Sequence, residues 1–95
     1  MLSDVNLMLC AASGELKKIQ YLLQNGANIN YLNAWGENAL ITAIQIKNIE
    51  IAKFLIENGI DVNAKSVVGD TPLSMAKENN FYEMVNYLIT NGAKE

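Results

Sequence analysis

Few side chains in this sequence could perform chemistry, and their spacing gives them little to work with. There is no histidine in the 95 residues, so no imidazole can activate a serine or cysteine nucleophile or complete a zinc site. Cys10 is the single cysteine, which permits neither an internal disulfide nor a thiolate cluster and fits a reducing compartment. It shares a register position with Ala43 and Ala76, and so reads as a buried packing residue and not as a reactive thiol. Two carboxylate pairs invite an acid–base reading, Glu50 with Glu57 and Glu78 with Glu83. The first lies on the polar side of a helical pattern and the second near a junction between two helices, so both read as solvated surface. The glycines are isolated from one another, and no phosphate-cradling loop is formed. The sequence therefore predicts no catalytic residues, no metal and no cofactor.

Charge and composition narrow the partners. The net charge is −3, all seven basic residues are lysines, and only Lys17 and Lys18 are adjacent. A phosphate backbone calls for a clustered basic face, usually with arginine, so nucleic acid is not expected as a partner. A mildly acidic chain is instead steered toward a basic or neutral protein. No apolar run approaches the roughly 18 residues that span a bilayer, and the opening stretch, with Asp4 ahead of its apolar run, lacks the basic start of a signal peptide. The expected location is cytoplasmic, with secretion as an effector the alternative. Half of the residues are hydrophobic and 18% are charged, the balance of a chain that folds.

The elements that position these residues repeat. Asn25-Gly26, Asn58-Gly59 and Asn91-Gly92 fall 33 residues apart, and Gly36 with Gly69, Leu40 with Leu73, Ala43 with Ala76 and Asn30 with Asn63 keep the same register. A fixed period of this length marks a solenoid whose units bury their apolar faces against one another. Each unit predicts a short first helix, "ENALITAIQI" or "DTPLSMAKEN", capped by Asn38 or by Thr71 with Pro72 at the first helical position. A second helix follows, "ELKKIQYLLQ", "NIEIAKFLIE" or "YEMVNYLIT", with apolar residues at helical spacing and a glycine suited to a left-handed cap just past its end. The joining segments, "ANINYLNAWGEN" and "IDVNAKSVVGDT", suit projecting hairpin-like loops.

With "DTPLSMA", "NIEIAKFLIENGIDVNAK" and the paired glycines Gly36 and Gly69, the chain resembles the ankyrin repeat family over about Val5 to Ala93. The resemblance implies an all-α fold, a solenoid of stacked antiparallel helix pairs with projecting β-hairpin loops. It spans residues 1–95 as one domain, with repeats at about 5–33, 34–66 and 67–95. It also implies a protein-binding module without catalysis. Departures from the family pattern are Ile41 and Ser74 where a histidine is frequent, with loss of its cross-loop hydrogen bonds, and Val5 at the first capping position, with Ser3 or Asp4 as substitute caps. Lys77 and Asn80 depart from the usual small residues of the last unit. Both ends read as terminal capping units, which favours a small complete protein over one block of a longer array.

In that family the partner is usually held by the hairpin tips and the exposed ends of the first helices. Carried onto this sequence, the tips are Asn33, Ala34, Trp35 and Glu37, then Ser66, Val67, Val68 and Asp70; the helix ends are Gln45, Ile46, Glu78 and Asn79, with Ala12 and Ser13 in the first unit. The residues themselves point the same way. The single tryptophan sits beside a turn glycine, and two valines occupy a loop that is ordinarily polar. Trp35, Val68 and Ile46 are expected to form one apolar patch with Glu37, Asp70 and Glu78 at its acidic rim. The alternative is that Trp35 folds back over the neighbouring hairpin and that the valines are strand formers, while Tyr31 and Leu32 pack within their hairpin. The expected partner is another protein, bound by an adaptor or inhibitor that is a monomer or weak homodimer. The rival reading is a structural protein that self-associates.

Overall fold

A helix of seven to nine residues is held by its ends and its packing, because its own backbone bonds do not repay the cost of nucleation. The computed structural model describes residues 2–95 and contains α1 (Leu2–Ser13), α2 (Leu16–Gln24), α3 (Ala39–Gln45), α4 (Ile49–Glu57), α5 (Pro72–Glu78) and α6 (Tyr82–Thr90). Met1, the first residue of the expected domain, lies outside the described residues. Thr71 Oγ1 accepts the Ser74 N–H at 3.1 Å, Ser74 Oγ accepts the Thr71 N–H at 2.8 Å, and Pro72 occupies the first helical position, as the sequence predicts. Asn48 caps α4 through the Ile51 N–H, while Glu15 and Phe81 precede α2 and α6 without a side-chain cap.

Every helix ends in the same way. The residue two past the cap donates its N–H to a carbonyl five residues back, as Ala27 does to Leu22, Ile60 to Leu55 and Ala93 to Leu88, and the residue between them takes a left-handed conformation. That residue is glycine at positions 26, 59 and 92, with φ of 93°, 87° and 98°. The first helices of the second and third units place Lys47 (φ 57°) and Asn80 (φ 55°) there instead.

The three helix pairs stack. α1 packs on α3 and α3 on α5, while each first helix also packs on the second helix of its own unit. Cys10, Ala43 and Ala76 recur at one buried position and keep the first helices close. Leu7, Ile19, Leu40, Ile44, Ile51, Leu55, Leu73, Met84 and Leu88 fill one continuous core. α3, in the middle, buries Ala39, Leu40, Ile41, Ala43 and Ile44 completely.

Side chains knit each unit to the next along the loops. The backbone N–H groups of Asn28, Asp61 and Lys94, each 33 residues apart, donate to the side-chain oxygens of Asp4, Asn30 and Asn63 at 2.7, 2.8 and 2.8 Å. This corrects the expected cap at Ser3 or Asp4: both lie inside α1, and the Asp4 carboxylate takes the place in the first unit that asparagine takes in the others. Asn38 also does more than expected. It is fully buried; its Oδ1 accepts the Ile41 N–H at 3.1 Å and its Nδ2 donates to the Asp61 carbonyl at 2.9 Å, a cross-loop bond made without histidine.

The loops hold no strand among the described residues. Each tip is one turn closed by two backbone bonds, Asn33 N–H to Glu37 O and Gly36 N–H to Asn33 O, both at 3.0 Å, in the first, and Ser66 N–H to Asp70 O at 2.8 Å and Gly69 N–H to Ser66 O at 2.9 Å in the second. The rest of each segment is held by asparagine and aspartate side chains that bond to the backbone two residues on, which leaves no ladder to extend.

Two stability changes follow. Lys47→Gly removes a left-handed lysine and should raise stability by about 0.5–1 kcal/mol, with a smaller gain for Asn80→Gly because asparagine tolerates that region better. Asn38→Ala leaves the Ile41 N–H and the Asp61 carbonyl unpaired and should cost about 3 kcal/mol, with Asn38→Thr recovering the cap alone. Urea denaturation read by circular dichroism checks both.

Candidate functional site

Loop chemistry builds the tips. Asn33 Oδ1 accepts the N–H of Trp35 at 2.9 Å and of Glu37 at 3.0 Å, and its Nδ2 donates to Glu37 Oε1 at 3.1 Å. Ser66 Oγ accepts the Asp70 N–H at 3.0 Å in the neighbouring tip. The two turns are then joined directly, because Val67 donates its N–H to the Trp35 carbonyl at 2.8 Å. Gly36 makes that approach possible: a β-carbon there would stand 3.3 Å from Ser66 Cα and 3.4 Å from the Lys65 carbonyl, and φ is 76°.

This bond brings Trp35, Val67 and Val68 together, all of them open to solvent at 65%, 69% and 77% of their surface. Trp35 is not folded back over a hairpin. Leu32 is also exposed, which corrects the expected packing within the hairpin, while Tyr31 is half-buried. Ala34 is exposed beside the tryptophan, and Asp70 is half-buried at the foot of its turn. Ser66 is buried, committed to holding the turn. Glu37 is half-buried with its carboxylate held by Asn33, so it braces the tip.

The helix-end residues form a second group. Gln45 and Ile46 end α3, Glu78 and Asn79 end α5, and these two helices pack side by side. Gln45, Ile46 and Glu78 are exposed; Asn79 is half-buried and donates Nδ2 to the Met75 carbonyl at 2.7 Å. α3 separates Ile46 from the tips by about 10 Å of helix axis. Ile46 is thus a second apolar point on the face and not an extension of the Trp35–Val68 cluster. Ala12 and Ser13 are exposed, with the Ser13 hydroxyl donating to the Leu9 carbonyl.

Elsewhere the structure offers little chemistry. Cys10 is buried, and burial, reinforced by the Glu15 carboxylate, raises its thiol pKa above the ordinary value, with Lys18 acting in the opposite sense. Glu50, Glu57, Glu78 and Glu83 are all exposed. Among the described residues no group of three or more histidine, cysteine or acidic side chains is placed to hold a metal ion, and no helix is long and apolar enough to cross a membrane.

Sequence reasoning missed one surface, an open groove of about 440 Å³ between α1 and α2 lined by Leu9, Cys10, Lys18, Tyr21 and Leu22 among others. Of the expected site residues, Ser13 of the first unit lines it, and those of the tips and of the later helix ends do not. Its signal was in the register: Lys18 stands where the later units have the fully buried Ile51 and Met84, and Lys77 stands where the earlier units have the fully buried Ala11 and Ile44. The outer faces of the stack are therefore marked by lysine, paired with Glu15 at 3.0 Å and with Glu95 at 2.7 Å. Each pairing holds its carboxyl below the usual carboxylate range.

A family model described as ankyrin repeats in three copies matches residues 7–95. Comparison with curated proteins finds no match. With Trp35 exposed, Trp35→Ala should change folding stability by less than about 0.5 kcal/mol. Small neutral quenchers should reach its fluorescence nearly as well in the native protein as in urea. A loss of several times that stability, with a shielded native emission, would return Trp35 to a packing role.

Proposed function

Because this chain belongs to the ankyrin repeat family, whose repeats are generally protein–protein interaction modules, we propose that it is a non-catalytic adaptor or inhibitor that binds a partner protein through its hairpin tips and first-helix ends. The observation that carries this reading is the junction of the two tips, where one backbone bond sets Trp35, Val67 and Val68 side by side and exposed. Exposed apolar side chains grouped on a fixed scaffold favour association, because little further ordering is needed on binding. Trp35 is the anchor, with Val67 and Val68 beside it and Ala34, Gln45, Ile46, Asp70, Glu78 and Asn79 around it. Glu37 contributes by holding the tip in place. The mechanism is occlusion or scaffolding by a preformed surface, and the lone buried thiol is compatible with the cytoplasm, where this reading places the protein.

Self-association by end-on stacking is less well supported, since it would bring Lys18 or Lys77 into a new interface. Capture from a lysate of the source organism tests the reading, with wild type compared against a Trp35→Ala, Val68→Asp double variant whose fold is checked by its melting curve. A specific protein held by wild type should bind the variant more weakly by about 2 kcal/mol or more, roughly thirtyfold in affinity. Equal retention by both would move the site off the tips, and concentration-dependent light scattering from wild type alone would make the partner a second copy.

A further inference from the structure

The three Asn–Gly pairs are alike in sequence and in cap geometry but not in what anchors them. We propose that Asn91–Gly92 is a site of spontaneous deamidation in the folded protein, and that the fold withholds the same reaction from Asn25–Gly26 and Asn58–Gly59.

In this reaction the Gly92 backbone nitrogen, having lost its proton to hydroxide, attacks the side-chain carbonyl carbon of Asn91. The new C–N bond closes a five-membered imide as the bond to the amide nitrogen breaks, and that nitrogen takes a proton from water and leaves as ammonia. Water then opens the ring at either carbonyl and gives aspartate or isoaspartate. Glycine favours the attack because no side chain crowds its nitrogen. The ring requires the glycine nitrogen to lie over the asparagine β-carbon.

The native caps oppose this geometry at all three sites. Asn25, Asn58 and Asn91 have ψ of 19°, 15° and 19°, which turns the glycine nitrogen toward the residue's own backbone nitrogen and away from its β-carbon. Each asparagine donates Nδ2 at 2.8 Å to the carbonyl four residues back, that of Tyr21, Phe54 or Tyr87, so the amide points along the helix it closes. Each glycine N–H is held by a helix carbonyl, at 3.2 Å for Gly26 and 3.1 Å for the other two. Reaction therefore waits on opening of the last helical turn, and the rate follows the population of that open state.

Opening demands different things at each site. At Asn58 it pulls Ile60, 4% exposed, out of the core. At Asn25 it moves Ala27, 9% exposed, and breaks the Asn28 bond to Asp4. At Asn91 the residue in the same place, Ala93, is only partly buried, so opening takes no buried side chain out of the core. What it breaks is exposed: the Asn63 Nδ2 bond to the Gly92 carbonyl at 3.1 Å, the Lys94 N–H bond to Asn63 Oδ1 at 2.8 Å and the surface pair of Lys77 with Glu95. The order expected is Asn91, then Asn25, then Asn58. The product adds a negative charge at the C-terminal end of α6, where the helix dipole disfavours it, and deletes the amide donor to Tyr87.

The test is peptide mapping by mass spectrometry of the whole protein incubated in mildly alkaline buffer, with a parallel incubation in concentrated urea. In native buffer Asn91 should convert at least tenfold faster than Asn58, with Asn25 between them; in urea the three should convert within about twofold of one another. Equal native rates, an Asn25 or Asn58 that converts first, or no conversion at Asn91 would each overturn the proposal. So would an Asn91 that remains the fastest site in urea, since the ranking would then belong to the local sequence and not to the fold.

Discussion

A seven-residue helix such as α3 makes too few backbone bonds to persist in water, yet it lies at the centre of this molecule with five residues withdrawn from solvent. It exists because α1 covers one side and α5 the other, and because alanine at position 43, between Cys10 and Ala76, lets the helices approach. Everything else depends on that sandwich. The second helices complete the burial of each unit, and the left-handed turns after every helix send the chain back at a length that keeps the next pair in register. Stability in such a stack belongs to the contacts between units more than to any unit alone.

The sandwich also fixes the display. The loops that leave α2 and α4 reach the next first helix through turns whose polar groups are taken up by Asn28, Asn30, Asp61 and Asn63. A loop braced by its own side chains has lost its freedom before any partner arrives, so the cost of ordering it is met in folding and not in binding. Val67 and Val68 can therefore stay in solvent without collapsing onto the core: the Val67 backbone is tied to Trp35, and the turn beneath is closed by Ser66.

The period, the helices and most of their caps were legible because their signals are local. Thr71-Pro72 and the Asn–Gly pairs state a conformation within two or three residues. The loops were less legible. Alternating residues and a glycine suggest paired strands, but asparagine side chains compete for the backbone groups a ladder would use, and the sequence does not say which side prevails. Asp4 was misread for the opposite reason. Its role is set by Asn28, 24 residues away, and no local pattern reports that contact. Of the expected site, the exposure of Trp35 and the valines was one of two readings, since a fold-back of the tryptophan and a strand role for the valines fitted the same residues; the structure leaves all three open to solvent. The engagement of Glu37 by Asn33 and the burial of Ser66 depended on how each turn closes.

The outer faces of the stack differ from its interior. In the middle unit, Ile44 and Ile51 are the side chains that a neighbouring unit covers, and each such burial is worth roughly 2–3 kcal/mol. At one outer face the corresponding residue is Lys18, bonded to Glu15 between Leu9 and Tyr21; at the other it is Lys77, bonded to Glu95. Covering either face with another apolar unit would take an ion pair now open to water out of solvent, a desolvation cost that an isoleucine at the same place does not carry. The positions that are apolar inside the stack are thus charged at its two outer faces. The tips differ again: Trp35, Val67 and Val68 stand open to solvent there, and the reading proposed above has a partner cover these apolar side chains and not the charged outer faces.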